Sequence, residues 1–174
     1  TITDLNRNQI QLRRGFVVFG NLDKSPFYGA IGKMDAPFGQ MGSVNPFTNS
    51  TMWHAFGGLG YGAQIGYNKG GLHAKIMLAQ GGAQFRALNV PVGDASAVPS
   101  KLNNFVADVN YRLNMSDKTH LKVGASYKKG GSYCQGFPVV HFTPCEEHNP
   151  EYTFYGTLDV NNRLIVMALS LIHI

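Results

Sequence analysis

Two cysteines are the side chains of this sequence best suited to covalent chemistry. Cys134 and Cys145 are the two cysteines of the chain, and ten residues separate them. An oxidising cell surface favours a disulfide that closes the intervening loop. A metal site that adds His141 and His148 is an alternative, but its spacing matches no zinc pattern, in which paired ligands are about two to four residues apart. We therefore predict a disulfide, with two free thiols as a further alternative, and we expect neither a metal nor a cofactor.

Histidines and glycines are the other residues of the sequence that could belong to a catalytic site. A serine nucleophile needs a histidine base within hydrogen-bond reach. The candidate bases are His54, His120, His141 and His148. None of them stands beside a serine in a pattern that such a site requires. The glycine-rich residues 57–60 do not lead into a helix and so do not form a phosphate-binding loop. We expect no enzymatic activity.

Charged and polar side chains recur at alternate positions of otherwise apolar segments. The candidate set comprises Gln64, Lys75, Asp108, Arg112, Lys122 and Lys128. If these side chains line a pore, the excess of positive charge over one carboxylate favours anions. Alternatively, they are ordinary charges on the wet face of a sheet, with no selectivity. The sequence leaves both interpretations open.

The segments that carry these side chains alternate strictly between apolar and small or polar residues. From Leu59 to Tyr67 every second residue is apolar, and those between are mostly glycine. A period of two is typical of a strand with two different faces. We predict about eight strands, at residues 13–20, 27–33, 58–68, 72–80, 104–114, 120–128, 152–160 and 163–170. No segment shows a sustained helical period, so little helix is expected.

The connections between the predicted strands alternate in length. Short turns rich in Asn, Gly, Asp, Ser and Pro lie at residues 21–26, 69–70, 115–118 and 161–162. Long connections lie between them at residues 34–56, 81–101 and 130–150. This alternation is typical of a transmembrane barrel with short turns on one side and long external loops on the other. The predicted fold class is thus an all-β, antiparallel transmembrane β-barrel. The alternative is an ordinary antiparallel sheet with one solvated face.

The composition of the chain agrees with strands whose apolar side chains face lipid. Charged residues make up 14% of the 174 residues, against about 25% in an average soluble domain. The chain holds 21 Gly, 11 Phe and 8 Tyr, and several tyrosines end the apolar rows, where an interfacial girdle lies in barrels. The net charge is +5, but the 15 Lys and Arg are spread along the chain, so no nucleic-acid surface is predicted.

The first long connection is unusually apolar for a surface loop. Its large apolar residues are Phe38, Met41, Val44, Phe47, Met52 and Trp53. Such a loop is expected to avoid water, either by folding into the lumen or by packing against a neighbouring subunit. We favour the first and predict a constriction built by Pro37, Phe38, Gly39 and Trp53.

One region carries a family likeness. Residues 25–33 read SPFYGAIGK, followed by PFG at residues 37–39 and NPFT at residues 45–48. This pattern resembles bacterial outer-membrane porins, in particular the siderophore-porin family. The resemblance implies a monomeric or trimeric barrel in the outer membrane of a Gram-negative bacterium, which lets small solutes diffuse passively. Iron-siderophore complexes or anionic solutes would be its cargo, and outer-membrane lipid its surroundings. The alternative function is a non-conducting barrel that serves as an adhesin or structural anchor through its long loops.

The expected domain organisation follows from the predicted strands and from the last residues of the chain. Residues 1–12 are expected to lead into a barrel region at residues 13–170, and residues 171–174 resemble a non-native tail. Members of the family are longer, with a leader and often a coiled-coil segment, and complete barrels of this kind end on an aromatic residue. We therefore expect this chain to be part of a larger barrel.

Overall fold

The protein folds as one sheet of β-strands. The computed structural model describes residues 14–40, 58–80, 102, 104–130, 150–161 and 163–173. The strands are β1 (Gly15–Gly20), β2 (Phe27–Asp35), β3 (Leu59–Lys69), β4 (Leu72–Ala79), β5 (Asn104–Ser116), β6 (Thr119–Lys128), β7 (Glu151–Val160) and β8 (Leu164–His173). All neighbours pair antiparallel, in the order β1 to β8. The all-β, antiparallel prediction is confirmed. Among the described residues, no helix is long and apolar enough to cross a membrane.

Several strands are longer than their alternating pattern predicts. Strand β2 continues to Asp35, and β5 continues to Ser116 through a register shift between Asn114 and Ser116. Strand β8 continues to His173, which pairs with Glu151 of β7. Just before β1, Arg14 donates hydrogen bonds to Asp35, one of them at 3.0 Å, and this contact raises the pKa of the Arg14 guanidinium.

The short connections lie at one end of the sheet and the long ones at the other, because consecutive strands run antiparallel. Between β3 and β4 the turn consists of Gly70 (φ 59°) and Gly71 (φ 87°). A two-residue turn whose central residues both have positive φ matches the twist of the flanking strands, and glycine adopts it without steric cost. Asn161 (φ 55°) has the same backbone region in the turn after β7.

The two faces of the sheet differ in polarity, and it is the apolar one that faces outward. Ile65 on the apolar face is 68% exposed, whereas Asp108 on the polar face is 4% exposed. An antiparallel sheet of a water-soluble domain does the reverse and buries its apolar face. We call the exposed apolar face the outer face and the opposite one the polar face.

The sheet is curled towards its polar face. Gly39, four residues beyond the end of β2, packs against Leu169 of β8 and Thr153 of β7. In a flat sheet β8 would lie about 29 Å from β2, six strand spacings away. Four extended residues reach at most about 14 Å. The contact therefore requires a curved sheet with the polar face on its concave side.

Glycines on the polar face make room for tyrosine rings of the adjacent strand. The Tyr28 ring lies against Gly66, its partner in register, and the Tyr155 ring lies against Gly124 in the same way. A Cβ added at Gly66 or Gly124 would come within 2.1 Å or 2.4 Å of the facing ring. This close approach explains two of the many glycines of the chain, because any larger residue would displace an aromatic side chain.

A small apolar cluster occupies the end of the polar face near the long connections. It consists of Ala30, Met34, Phe38, Met77, Ala79 and Val106. Met77, Ala79 and Val106 are each 0% exposed. At this level the concave side is packed, whereas polar side chains dominate it further towards the short turns.

Candidate functional site

Asp108 lies at the centre of a hydrogen-bonded cluster on the polar face. Its Oδ1 accepts hydrogen bonds from Ser126 Oγ at 2.6 Å and from Tyr155 OH at 2.8 Å. Its Oδ2 accepts one from Asn110 Nδ2 at 3.0 Å. Three neutral donors on three strands therefore hold this carboxylate, which stabilises a buried charge that would otherwise be costly.

Three cationic side chains lie on the same face, beside this cluster or between it and the short turns, and we call them the basic cluster: Lys75 of β4, Arg112 of β5 and Lys122 of β6. Lys75 is in register with Asp108, and Arg112 is in register with Lys122. Lys122 interacts electrostatically with Asp108, Lys75 and Arg112. Within the described ranges none of the three cations forms an ion pair. The basic cluster therefore presents its charge to the space that the curled sheet partly encloses.

A tyrosine and a histidine extend this polar region towards β2. Tyr28 OH lies 2.6 Å from His73 Nε2, at hydrogen-bond distance. His73 also interacts electrostatically with Lys75, Asp108 and Lys122. The polar network thus reaches from β2 to β7 across the concave side of the sheet.

An ion pair is fully buried near the long connections. Lys128 Nζ lies 2.7 Å from Glu151 Oε2, and both side chains are 0% exposed. The ammonium also lies 4.5 Å from the centroid of the Phe38 ring, within the range of a cation–π contact. Because a buried charge without a partner is strongly unfavourable, these contacts fix the position of Phe38 relative to β6 and β7.

The residues that follow β2 run down the concave side of the sheet. We call residues 36–40 the inward segment. The Gly39 amide donates a hydrogen bond to Ser126 Oγ at 2.8 Å, and Gln40 Oε1 accepts one from Thr157 Oγ1 at 2.7 Å. Thr157 is in register with Lys122, so the end of this segment lies beside the basic cluster.

Aromatic side chains mark both ends of the outer face. Near the short turns, Phe27 and Tyr67 meet with ring centroids 5.2 Å apart. Near the long connections, the Tyr127 ring lies 5.4 Å from Phe105 and 5.1 Å from Tyr152. On β3 the six residue steps from Tyr61 to Tyr67 span about 20 Å along the strand, and outer-membrane barrels present an apolar band about 25 Å tall to lipid.

All six predicted pore-lining residues lie on the polar face. They are Gln64, Lys75, Asp108, Arg112, Lys122 and Lys128. Of the predicted constriction residues, Pro37 and Phe38 are buried and Gly39 is half-buried on the concave side. Trp53, the two cysteines Cys134 and Cys145, and the histidines of the alternative metal site lie outside the described residues. In the described part of the chain, no three His, Cys, Asp or Glu side chains are placed to hold a metal.

The predicted pore-lining set omits two carboxylates of the polar face. Glu151 and Asp159 share this face with Thr153, since they follow the same alternation along β7. The sequence contained the signal, because extending the predicted strand at residues 152–160 by one residue towards its start places Glu151 on the polar side. When Glu151 and Asp159 are counted, the excess of cationic over anionic side chains on the polar face is smaller than when Asp108 is the only carboxylate counted. The remaining excess lies at the basic cluster.

Comparison with known proteins identifies one distant relative. No family model matches the chain, and no solved structure matches it. A protein of Coxiella burnetii (strain RSA 493 / Nine Mile phase I) named UPF0422 protein is 27% identical over 139 residues. The match covers 78% of this chain and 27% of that protein, so the chain spans about a quarter of the length of the relative it matches. This chain is thus similar to a segment of a considerably longer protein.

Proposed function

We propose that this chain forms part of a porin-like β-barrel of the bacterial outer membrane, through which small solutes diffuse passively. The observation that carries the proposal is the inverted polarity of the sheet. In the part of the chain that the structure describes, 25 large hydrophobic side chains are exposed. Soluble monomers rarely expose apolar patches beyond about 300–600 Å², whereas lipid requires such a surface.

The aromatic side chains at both ends of the outer face support the same proposal. Aromatic girdles lie at the two interfaces of transmembrane barrels, where the rings contact both lipid tails and headgroups. Strands β2 to β8 have 8 to 13 residues, close to the about 9–11 residues of a tilted membrane-spanning strand.

Closure of the barrel requires further pairing. Among the described strands, β1 pairs only with β2, and β8 pairs only with β7. An open strand edge is unfavourable in lipid, because its amide and carbonyl groups find no water. We propose that additional strands of the full-length protein pair with these edges. The relative's greater length is compatible with such strands.

The solute path in this proposal runs along the polar face. The inward segment narrows it, since Phe38 packs at the level of the apolar cluster and Gln40 reaches the level of Lys122. Positive charge at the basic cluster favours anionic solutes, and iron-siderophore complexes remain the cargo that the family resemblance implies.

A non-conducting barrel that serves as an adhesin or structural anchor is the second candidate. The packed apolar cluster favours it, because Phe38, Met77 and Val106 are at most 1% exposed on the side where a channel would run. A barrel filled at this level would present its long connections at the cell surface without passing solutes.

Planar-bilayer recording with the full-length protein tests both candidates. A channel predicts stepwise conductance in the wild type and a larger unit conductance in Phe38→Ala, because the side chain narrows the path. Phe154→Ala on the outer face, where the ring is 56% exposed, is the matched control and leaves the unit conductance unchanged. A protein that inserts into bilayers without conducting, in wild type and Phe38→Ala alike, refutes the channel and supports the anchor.

A further inference from the structure

Arg112 and Lys122 are like charges placed directly opposite each other. The register of β5 and β6 pairs them on the polar face, where side chains of facing residues are neighbours. Like charges in this arrangement destabilise a sheet. Lys75 adds a third positive charge that interacts with Lys122. The basic cluster is therefore an electrostatically unfavourable arrangement unless an anion compensates it.

The carboxylates on the same face neutralise the basic cluster only in part. Both oxygens of Asp108 accept hydrogen bonds from neutral groups, and no cation of the described chain lies within ion-pair distance of them. Asp159 is in register with His120, two residues beyond Lys122 on the same face. Lys75, Arg112 and Lys122 counted together with Asp108 carry a formal charge of +2.

The basic cluster also has the donors that an oxyanion requires. Arg112 presents a planar fork of N–H groups that binds two oxygens at once, and lysine ammonium groups bind as point charges. Lys75 and Lys122 are half-buried, whereas Arg112 is exposed towards the short turns. The inward segment ends beside the cluster through the Gln40 contact with Thr157, opposite Lys122. The inward segment and the basic cluster therefore lie side by side on the concave side of the sheet.

We propose that Lys75, Arg112 and Lys122 form a binding site for a dianionic oxyanion on the solute path. The inference deepens the proposed channel function and rests on it, because it names the class of anion that the path selects. A dianion matches the net charge of +2 and relieves the repulsion between Arg112 and Lys122. Chloride, a monatomic anion with a single charge, cannot accept from both N–H groups of the Arg112 fork in the way two oxygens do and satisfies the site only in part.

Block of the chloride current by sulfate tests the site. In planar bilayers, sulfate reduces the wild-type chloride current with a saturable concentration dependence. Arg112→Gln and Lys122→Gln each raise the half-blocking concentration about tenfold, as expected for loss of one charge-assisted hydrogen bond. Lys118→Gln removes a positive charge from the exposed turn after β5 and leaves the half-blocking concentration unchanged. Succinate in place of sulfate shows whether two carboxylates satisfy the same site.

Thermal unfolding in detergent separates failure of the site from failure of the channel. At the same concentration, sulfate raises the Tm of the wild type and of Lys118→Gln more than that of Arg112→Gln or Lys122→Gln, because a tenfold weaker site gains less stability from its ligand. Without sulfate, Arg112→Gln is at least as stable as the wild type, since the like-charge contact is gone. A conducting protein with equal sulfate block in all variants refutes the site alone. A non-conducting protein that retains the sulfate-dependent Tm shift refutes the channel alone.

Discussion

Replacement of Lys128 by methionine probes whether the concave side of the sheet excludes water. Lys128 and Glu151 are both 0% exposed, and their charged atoms lie 2.7 Å apart. Lys128→Met keeps an unbranched side chain of similar size but removes the ammonium that pairs with the buried Glu151 carboxylate. Removing one partner of a buried pair lowers the free energy of unfolding by about 3–5 kcal/mol. Loss of the cation–π contact with Phe38 adds about 0.5–2 kcal/mol.

Two further variants isolate the contribution of burial. Lys128→Met combined with Glu151→Gln removes both charges, and we expect its stability to lie within about 2 kcal/mol of the wild type, because well-matched neutral replacement of a buried pair is often tolerated. Arg14→Gln breaks the exposed pair with Asp35, whose side chains are 42% and 39% exposed. That change is expected to cost at most about 1 kcal/mol, since water screens exposed ion pairs.

Urea unfolding in detergent micelles, followed by circular dichroism of the sheet, measures the three free energies by linear extrapolation. Lys128→Met is expected to be the least stable of the three variants, and the double variant is expected to recover most of its lost free energy of unfolding. A loss in Lys128→Met no larger than that in Arg14→Gln would refute the burial of this pair. Water would then reach the Lys128–Glu151 pair, and the packed level of the concave side would be open to solvent.

Three other outcomes are expected. Ile65→Lys on the outer face impairs insertion into liposomes, because a lysine near the bilayer midplane costs about 2–4 kcal/mol. Gln64→Lys on the polar face is the control and inserts normally. Equal insertion of the two variants in a flotation assay would contradict the assignment of the outer face to lipid. Gly124→Ala is expected to lower the free energy of unfolding in urea by about 1–3 kcal/mol, because its Cβ would come within 2.4 Å of the facing tyrosine ring. Gly156→Ala is the control, since the nearest atom to its Cβ lies at 3.6 Å. Equal losses in the two variants would show that the tyrosine ring moves aside at little cost. Cys134 and its predicted partner are expected to resist alkylation until reductant is added, and a mass increase by two alkyl groups without reductant would exclude the disulfide.

Much of the fold was predictable because alternation is a local property. On β3, β5 and β6 the strict period of two gave each strand to within two residues and divided its side chains correctly between two faces. Lys75, Arg112 and Lys122 could be assigned to one face from this alternation alone. Strand ends were less predictable, as at β8, which continues to His173, because end pairing depends on the neighbouring strand rather than on the pattern of the strand itself.

The contacts of the candidate site were not predictable in the same way. Gly39 and Ser126 are 87 positions apart, and their hydrogen bond exists only because the sheet curls and brings the end of β2 across to β6. The direct opposition of Arg112 and Lys122 depends on the register of one hairpin, where a shift by one residue would turn every side chain to the other face. Asp108 likewise gains its donors from β6 and β7.

The sequence by itself determined the strands, their antiparallel order and the separation of apolar from polar side chains onto two faces, because a sustained period of two places alternate residues on opposite sides of a strand. The structure decided which of the two faces is exposed, since the sheet curls towards its polar face. The tertiary structure alone decided which charges meet. It pairs Lys128 with Glu151, surrounds Asp108 with neutral donors and leaves the basic cluster without an ion pair among the described residues. The physical reason is that charge interactions depend on distance in space, which register and curvature set, whereas alternation depends only on distance along the chain.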